Sequence, residues 1–175
     1  MTRACRLAWV LAWVVAGPAL AQQRPSWDWP FAGKRSTSNG FDLDRAEGAT
    51  RDFRGWTSAA DDGLHAPHPL DGHAGIDFPM PNDTPVFAVE DGTVTGVSDG
   101  VPWDDDAAAN WVEVTHAGGR ASTYWHLGPG VRALVVPNQA VTSGTVVGRS
   151  DNTGDSTGPH LHLGDFQGGV AGDPF

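Results

Sequence analysis

From His73 onward, short runs of β-branched and aromatic residues alternate with clusters of Gly, Pro, Asn and Asp. The runs span 85–90, 92–97, 111–116, 121–127, 131–136, 145–149 and 160–163. Segments of this length, set off by turn residues at near-regular spacing, predict an all-β fold: an antiparallel sandwich or barrel-like sheet. No stretch sustains apolar residues at helical spacing, so little or no helix is expected. Gly118-Gly119 lies between two runs and predicts a hairpin that sets 111–116 antiparallel to 121–127. Asp104-Asp105-Asp106 interrupts the pattern as a solvated loop.

Upstream the pattern changes. Residues 22–67 are rich in Gly, Asp, Arg and Trp without sustained periodicity, and read as irregular structure with one short strand. Before them, Arg3 and Arg6 precede an apolar run over 7–16, then Gly17-Pro18 and Ala19-Leu20-Ala21. These are the n-region, h-region and small-residue cleavage site of a signal peptide over 1–21. The run is shorter than the roughly 20 apolar residues a membrane span needs, so no stable membrane anchor is expected after cleavage. The protein is expected to be secreted or periplasmic.

Cys5, the only cysteine, falls inside that leader, so the exported chain has neither disulfide nor thiolate ligand. Losing Arg3 and Arg6 leaves nine basic against 21 acidic residues, a formal charge of −12. Such a balance argues against nucleic acid, whose binding proteins present basic patches to the phosphates. The remaining length suits one domain with a real core. Nothing in it fixes an oligomeric state, and a monomer is the default expectation.

Two clusters carry candidate chemistry. Gly72-His73-Ala74-Gly75-Ile76-Asp77-Phe78 offers an imidazole and a carboxylate four residues apart, and His160-Leu161-His162 offers two imidazoles. Gly72, Gly75, Pro79 and Pro81 make a helix around His73 and Asp77 improbable, so these residues are expected where a loop enters a strand. On a strand His160 and His162 share one face, with Leu161 and Leu163 turned to the core. Alternation also predicts Ser122, Tyr124 and His126 on one face, making His126 a third imidazole that can converge on the site. His73, Asp77 and one histidine of the pair give three N/O donors without sulfur, the ligand set of catalytic zinc with a fourth position open. Two histidines and a carboxylate also form the facial triad of non-haem iron enzymes, but that triad is expected as His-x-Asp/Glu.

The stretch 72–78, Thr84-Pro85-Val86-Phe87-Ala88 with Asp91-Gly92-Thr93-Val94, Tyr124-Trp125-His126-Leu127, and 154–163 with its Thr-Gly-Pro-His-Leu-His core occur in the order found in the LytM/lysostaphin-type zinc endopeptidases, which the chain resembles over 68–175. Ser38-Asn39-Gly40-Phe41 weakly resembles that family's opening strand. The resemblance implies a β-sheet fold with a long substrate groove and hydrolysis of stem peptides or cross-bridges in bacterial peptidoglycan. It implies Zn2+ held by His73, Asp77 and His162, with His126 and His160 as the metal-free catalytic histidines. His116 and His68 match positions without a metal role. The lysostaphin-like branch carries a tyrosine shortly before the first ligand, whereas 64–67 here has none. Leu163-Gly164-Asp165 stands where the family usually has an aromatic residue and then an acid. Two other readings fit the same chain: a non-catalytic LytM-like activator of a cell-wall amidase, against which the complete ligand set argues, and a secreted protease acting on glycine-rich proteins.

Overall fold

The computed structural model describes residues 27–40, 49–51, 57–59, 72–103, 105–106 and 108–175. The leader over 1–21, the stretch 64–67 and His68 lie outside the described residues. Eleven strands are described: β1 (Ala49–Arg51), β2 (Thr57–Ala59), β3 (Gly75–Pro79), β4 (Pro85–Phe87), β5 (Gly92–Ser98), β6 (Asn110–His116), β7 (Arg120–Leu127), β8 (Ala140–Val141), β9 (Val146–Arg149), β10 (His160–Gln167) and β11 (Val170–Gly172). Helix is confined, among the described residues, to the single 3₁₀ turns Ala117–Gly119 and Val131–Ala133. None of these is long and apolar enough to cross a membrane.

The main sheet is antiparallel and seven-stranded, in the order β11-β10-β7-β6-β5-β8, with β3 also on β10. One edge of β10 pairs with β7 from His162 to Gln167. Its other edge is divided, β3 pairing with His160 to Gly164 and β11 with Asp165 to Gln167. β1 pairs with β2, and β4 with β9, as two separate ribbons. Val86 and Val147 of the β4/β9 ribbon join Val94, Val112, Val114, Tyr124, Leu127, Leu161 and Leu163 in one core, completed by Trp27 and Phe31 from the N-terminal segment. Burying each such Val or Leu contributes about 1.5–3 kcal/mol, which makes this core the main support of the sheet.

The 111–116/121–127 hairpin forms as β6 and β7, turning through Gly118 and Gly119 at φ 77° and 78°. Both glycines occupy the left-handed region that other residues avoid. The expected strand over 131–136 is absent. That segment is a turn whose N-terminal amides, Gly130 N–H and Arg132 N–H, donate to the Asp99 carboxylate at 2.8 and 2.9 Å. Val131 and Val135, four residues apart, are buried while Leu134 and Val136 face solvent, so the valine-rich composition serves a helical turn. β11 was not expected, although Gly168-Gly169, both at positive φ, joins it to β10 in the manner of a hairpin loop.

Candidate metal centre

The register of β10 assembles the site. His162 stands opposite Asp77 of β3 on one side and Trp125 of β7 on the other. Directly opposed residues of antiparallel strands lie about 4.5–5.5 Å apart on the same face, so this pairing brings imidazole and carboxylate together. His73 reaches them from the loop ahead of β3. Its Nε2 lies 3.0 Å from His162 Nδ1 and 3.2 Å from Asp77 Oδ1, and His162 Nδ1 lies 2.9 Å from the same oxygen. The three atoms form a triangle with sides near 3 Å. Zinc held at about 2.0–2.1 Å in tetrahedral geometry places its ligand atoms about 3.3 Å apart, so the triangle is already close to the size required. Gly75 makes room for it: a Cβ there would stand 2.5 Å from the Leu163 carbonyl oxygen and 2.7 Å from His162 Nε2.

Protonation supports the same fit. His73 Nδ1–H donates to the Gly40 carbonyl at 2.7 Å, which turns Nε2 toward a carboxylate oxygen. At 3.2 Å this contact is held by a proton on Nε2, whose place a metal ion can take. The second carboxylate oxygen of Asp77 accepts from Asn39 Nδ2 at 2.7 Å. Burial alone would raise the Asp77 pKa, but hydrogen bonds and charge from His162 and His73 hold it well below the usual carboxylate range. The donor set is therefore an anion and two imidazoles, suited to a divalent ion of zinc's character.

His126 and His160 flank this triangle with ring centroids 4.5 Å apart. His160 Nδ1–H donates to the Gly158 carbonyl at 2.8 Å, and Nε2 faces Asp77 Oδ1 at 3.6 Å. His126 reaches the site by a route that simple alternation does not give. Between the pairs Asn110/Leu127 and Val112/Tyr124, β7 takes three steps where β6 takes two, a bulge that puts His126 at φ 60°. Tyr124 and Leu127 consequently both enter the core, and the predicted common face of Ser122, Tyr124 and His126 is broken. The bulge is clamped by buried Asn110, whose Nδ2 donates to the Leu127 carbonyl at 3.0 Å, and by Thr153, whose hydroxyl donates to that carbonyl at 2.8 Å. The Thr153 carbonyl accepts from His126 Nδ1–H at 2.7 Å, fixing Nε2 as the free nitrogen. A non-glycine residue at positive φ costs about 1–3 kcal/mol, and here the cost is incurred at a side chain of the site. Burial lowers the His126 pKa to about 4, so it is a neutral acceptor at neutral pH.

The cleft over these groups is completed by Asn39, Asp155, Ser156 and Thr157. His116 is elsewhere: its ring nitrogens meet the Asp91 carbonyl at 3.0 Å and the Ser122 hydroxyl at 2.8 Å. Tyr124, the only tyrosine, is fully buried, and burial pushes its pKa up to about 12, so its hydroxyl does not serve the cleft. Sequence reasoning missed Asn39, Gly40, Asn110 and Thr153 as supports. Only Asn39 and Gly40 carried a signal, within the stretch 38–41 that weakly resembles the family's opening strand; the other contacts arise from folding.

The sequence profile described as peptidase family M23 matches residues 71–174. Peptidoglycan DD-endopeptidase ShyA of Vibrio cholerae is 39% identical over 90 residues, covering 51% of this chain and 19% of ShyA. An uncharacterised metalloprotease of Haemophilus influenzae is 37% identical over 112 residues, covering 62% of this chain and 22% of that protein. The chain thus spans about a fifth of the length of these curated relatives. Among solved structures, a zinc-containing peptidase from Vibrio cholerae aligns with a TM-score of 0.61 at 24% identity, over 85% of this chain and 39% of the other, a likeness of fold. With more than half of its length matched by the profile, and with the motif order of the LytM type, the chain belongs to peptidase family M23.

Proposed function

We propose that this chain is an exported zinc metalloendopeptidase that hydrolyses peptide bonds in the stem peptides or cross-bridges of bacterial peptidoglycan. One observation carries the reading: His73, Asp77 and His162 bring three ligand atoms together, and two further imidazoles border them. Zinc, when bound by those three side chains, supplies a Lewis acid that brings the pKa of a water to about 7 and polarises the scissile carbonyl. The other groups then have defined work. With Nδ1–H committed to backbone carbonyls, His126 and His160 each present an Nε2 lone pair to the cleft, so one of them accepts the proton of the attacking water, and the Nε2–H so formed can donate to the tetrahedral oxyanion. The accepted proton passes to the departing amine. ShyA, as a peptidoglycan endopeptidase, supports the substrate class. The apolar run and small-residue site over 1–21 support export.

The test is digestion of purified peptidoglycan by the zinc-loaded protein, with mass spectrometry of the products. New amine and carboxyl ends within peptides, abolished by chelation, are expected. Products cut only between sugar and peptide, or no cleavage beside enhanced cleavage by an added amidase, would overturn the proposal.

A further inference from the structure

Two of the three metal-directed side chains are held by a segment lying more than 30 residues upstream of the family-matched region. We infer that Asn39 is a positioning residue of the metal centre: its carboxamide holds Asp77 Oδ2 so that Oδ1 turns toward His73 and His162. The inference rests on the zinc reading proposed above. A carboxylate only accepts hydrogen bonds, so the Asn39 amide must present its nitrogen, and it does so at 2.7 Å. The bond uses the oxygen that the imidazoles leave free, because His162 Nδ1 and His73 Nε2 both face Oδ1. The carboxylate is thereby divided, one oxygen for the support and one for the metal, and its χ2 rotation is fixed.

The segment is docked independently of the Asn39 side chain. Ser38 N–H donates to the Asp77 carbonyl at 3.0 Å, and Asp77 N–H donates to the Asn39 carbonyl at 2.9 Å. The next residue, Gly40, offers its carbonyl to His73 Nδ1–H. Main-chain bonds thus bring the segment to the edge of β3, and the Asn39 carboxamide is a separate contact that can be removed without undocking it. Groups that orient metal ligands in this way typically change metal affinity 10–100-fold when lost.

The test is zinc affinity of the whole chain, measured by competition with a chromophoric chelator, for wild type, Asn39→Leu and Asn39→Asp. Leucine removes the donor at nearly constant volume, and aspartate sets a second carboxylate against Oδ2. Both variants are expected to bind zinc about 10–100-fold more weakly, with the far-UV circular dichroism of the metal-free protein unchanged and the visible spectrum of the cobalt(II)-substituted protein altered. Wild-type affinity and spectrum in both variants would overturn the positioning role while leaving the zinc reading intact. A wild-type protein that binds no zinc would overturn both. If Asn39→Leu destabilises the metal-free protein, the isosteric Asn39→Asp variant decides alone: unchanged or tighter binding refutes the inference.

Discussion

Gly75→Ala is a one-carbon perturbation aimed at the seam that forms the site. The added Cβ would lie 2.5 Å from the Leu163 carbonyl oxygen, 2.7 Å from His162 Nε2 and 2.8 Å from His162 Cε1. An ordinary carbon–oxygen contact is roughly 3.3 Å, so about 0.8 Å must be recovered, and the carbonyl, held in the β3/β10 ladder at the Ile76/Leu163 pair, cannot rotate away. Either β3 separates from β10 or the His162 ring leaves its place. Overpacking of this kind costs about 1–3 kcal/mol. In the metal-free protein the expected result is a lower unfolding free energy by that amount in urea, with an unchanged m-value. In the zinc-binding assay the displaced imidazole loses its position in the three-atom triangle, and affinity is expected to fall at least tenfold. Gly72→Ala is a poor control because Gly72 has φ 73°, but Gly158→Ala, with open space at its Cβ, should leave the fold intact. A Gly75→Ala protein with wild-type stability and wild-type zinc affinity would refute the claim that this contact builds the site.

Three further outcomes follow from the same geometry. His162→Ala or Asp77→Ala should lose both zinc and hydrolysis, whereas His160→Ala and His126→Ala should keep zinc and lose roughly 10²–10⁴-fold in rate; metal content and initial rates distinguish them, and full activity in both of the latter refutes their role. Unfolded His126 takes up a proton below about pH 6.5, the folded residue only below about 4. The stability this depressed pKa confers is complete above pH 6.5 and is lost as pH falls toward 4, by up to about 3 kcal/mol. The metal-free wild type should therefore lose stability across that window faster than His126→Asn, and parallel curves contradict the assignment. Arg120 donates through Nε and an Nη to buried Asp165 at 2.8 and 2.9 Å, and its guanidinium lies 3.8 Å from the Trp27 ring centroid. Truncation to Ala removes the guanidinium paired with the buried carboxylate and should cost about 3–5 kcal/mol in denaturant titration; a loss below about 1 kcal/mol would show that the pair is dispensable.

The parts of the site that obey a period were legible in the sequence. His160 and His162 follow strand alternation, and His73 and Asp77 straddle a loop-to-strand junction marked by glycines. The placement of His126 was not, because a bulge depends on what the neighbouring strand and the 152–154 loop supply, and neither Asn110 nor Thr153 is near it in sequence. The valines of 131–136 misled for a related reason. Their β propensity reflects a preference for pleated, half-buried surfaces, and here Asp99, some 30 residues upstream, caps the segment as a turn. Asn39 illustrates the same limit: its target, Asp77, is 38 residues away, and only the folded β3 edge brings them together.

The central claim is that His73, Asp77 and His162 form one metal centre, and zinc K-edge absorption on the zinc-loaded wild-type protein tests it directly. One zinc per chain is expected, with two imidazole nitrogens and one carboxylate oxygen at about 2.0–2.2 Å and a light-atom fourth ligand. Loss of one imidazole shell in His162→Ala, with the His160→Ala spectrum unchanged, completes the expected result. No stoichiometric zinc in the wild type, or a spectrum altered by His160→Ala and not by His162→Ala, would contradict it.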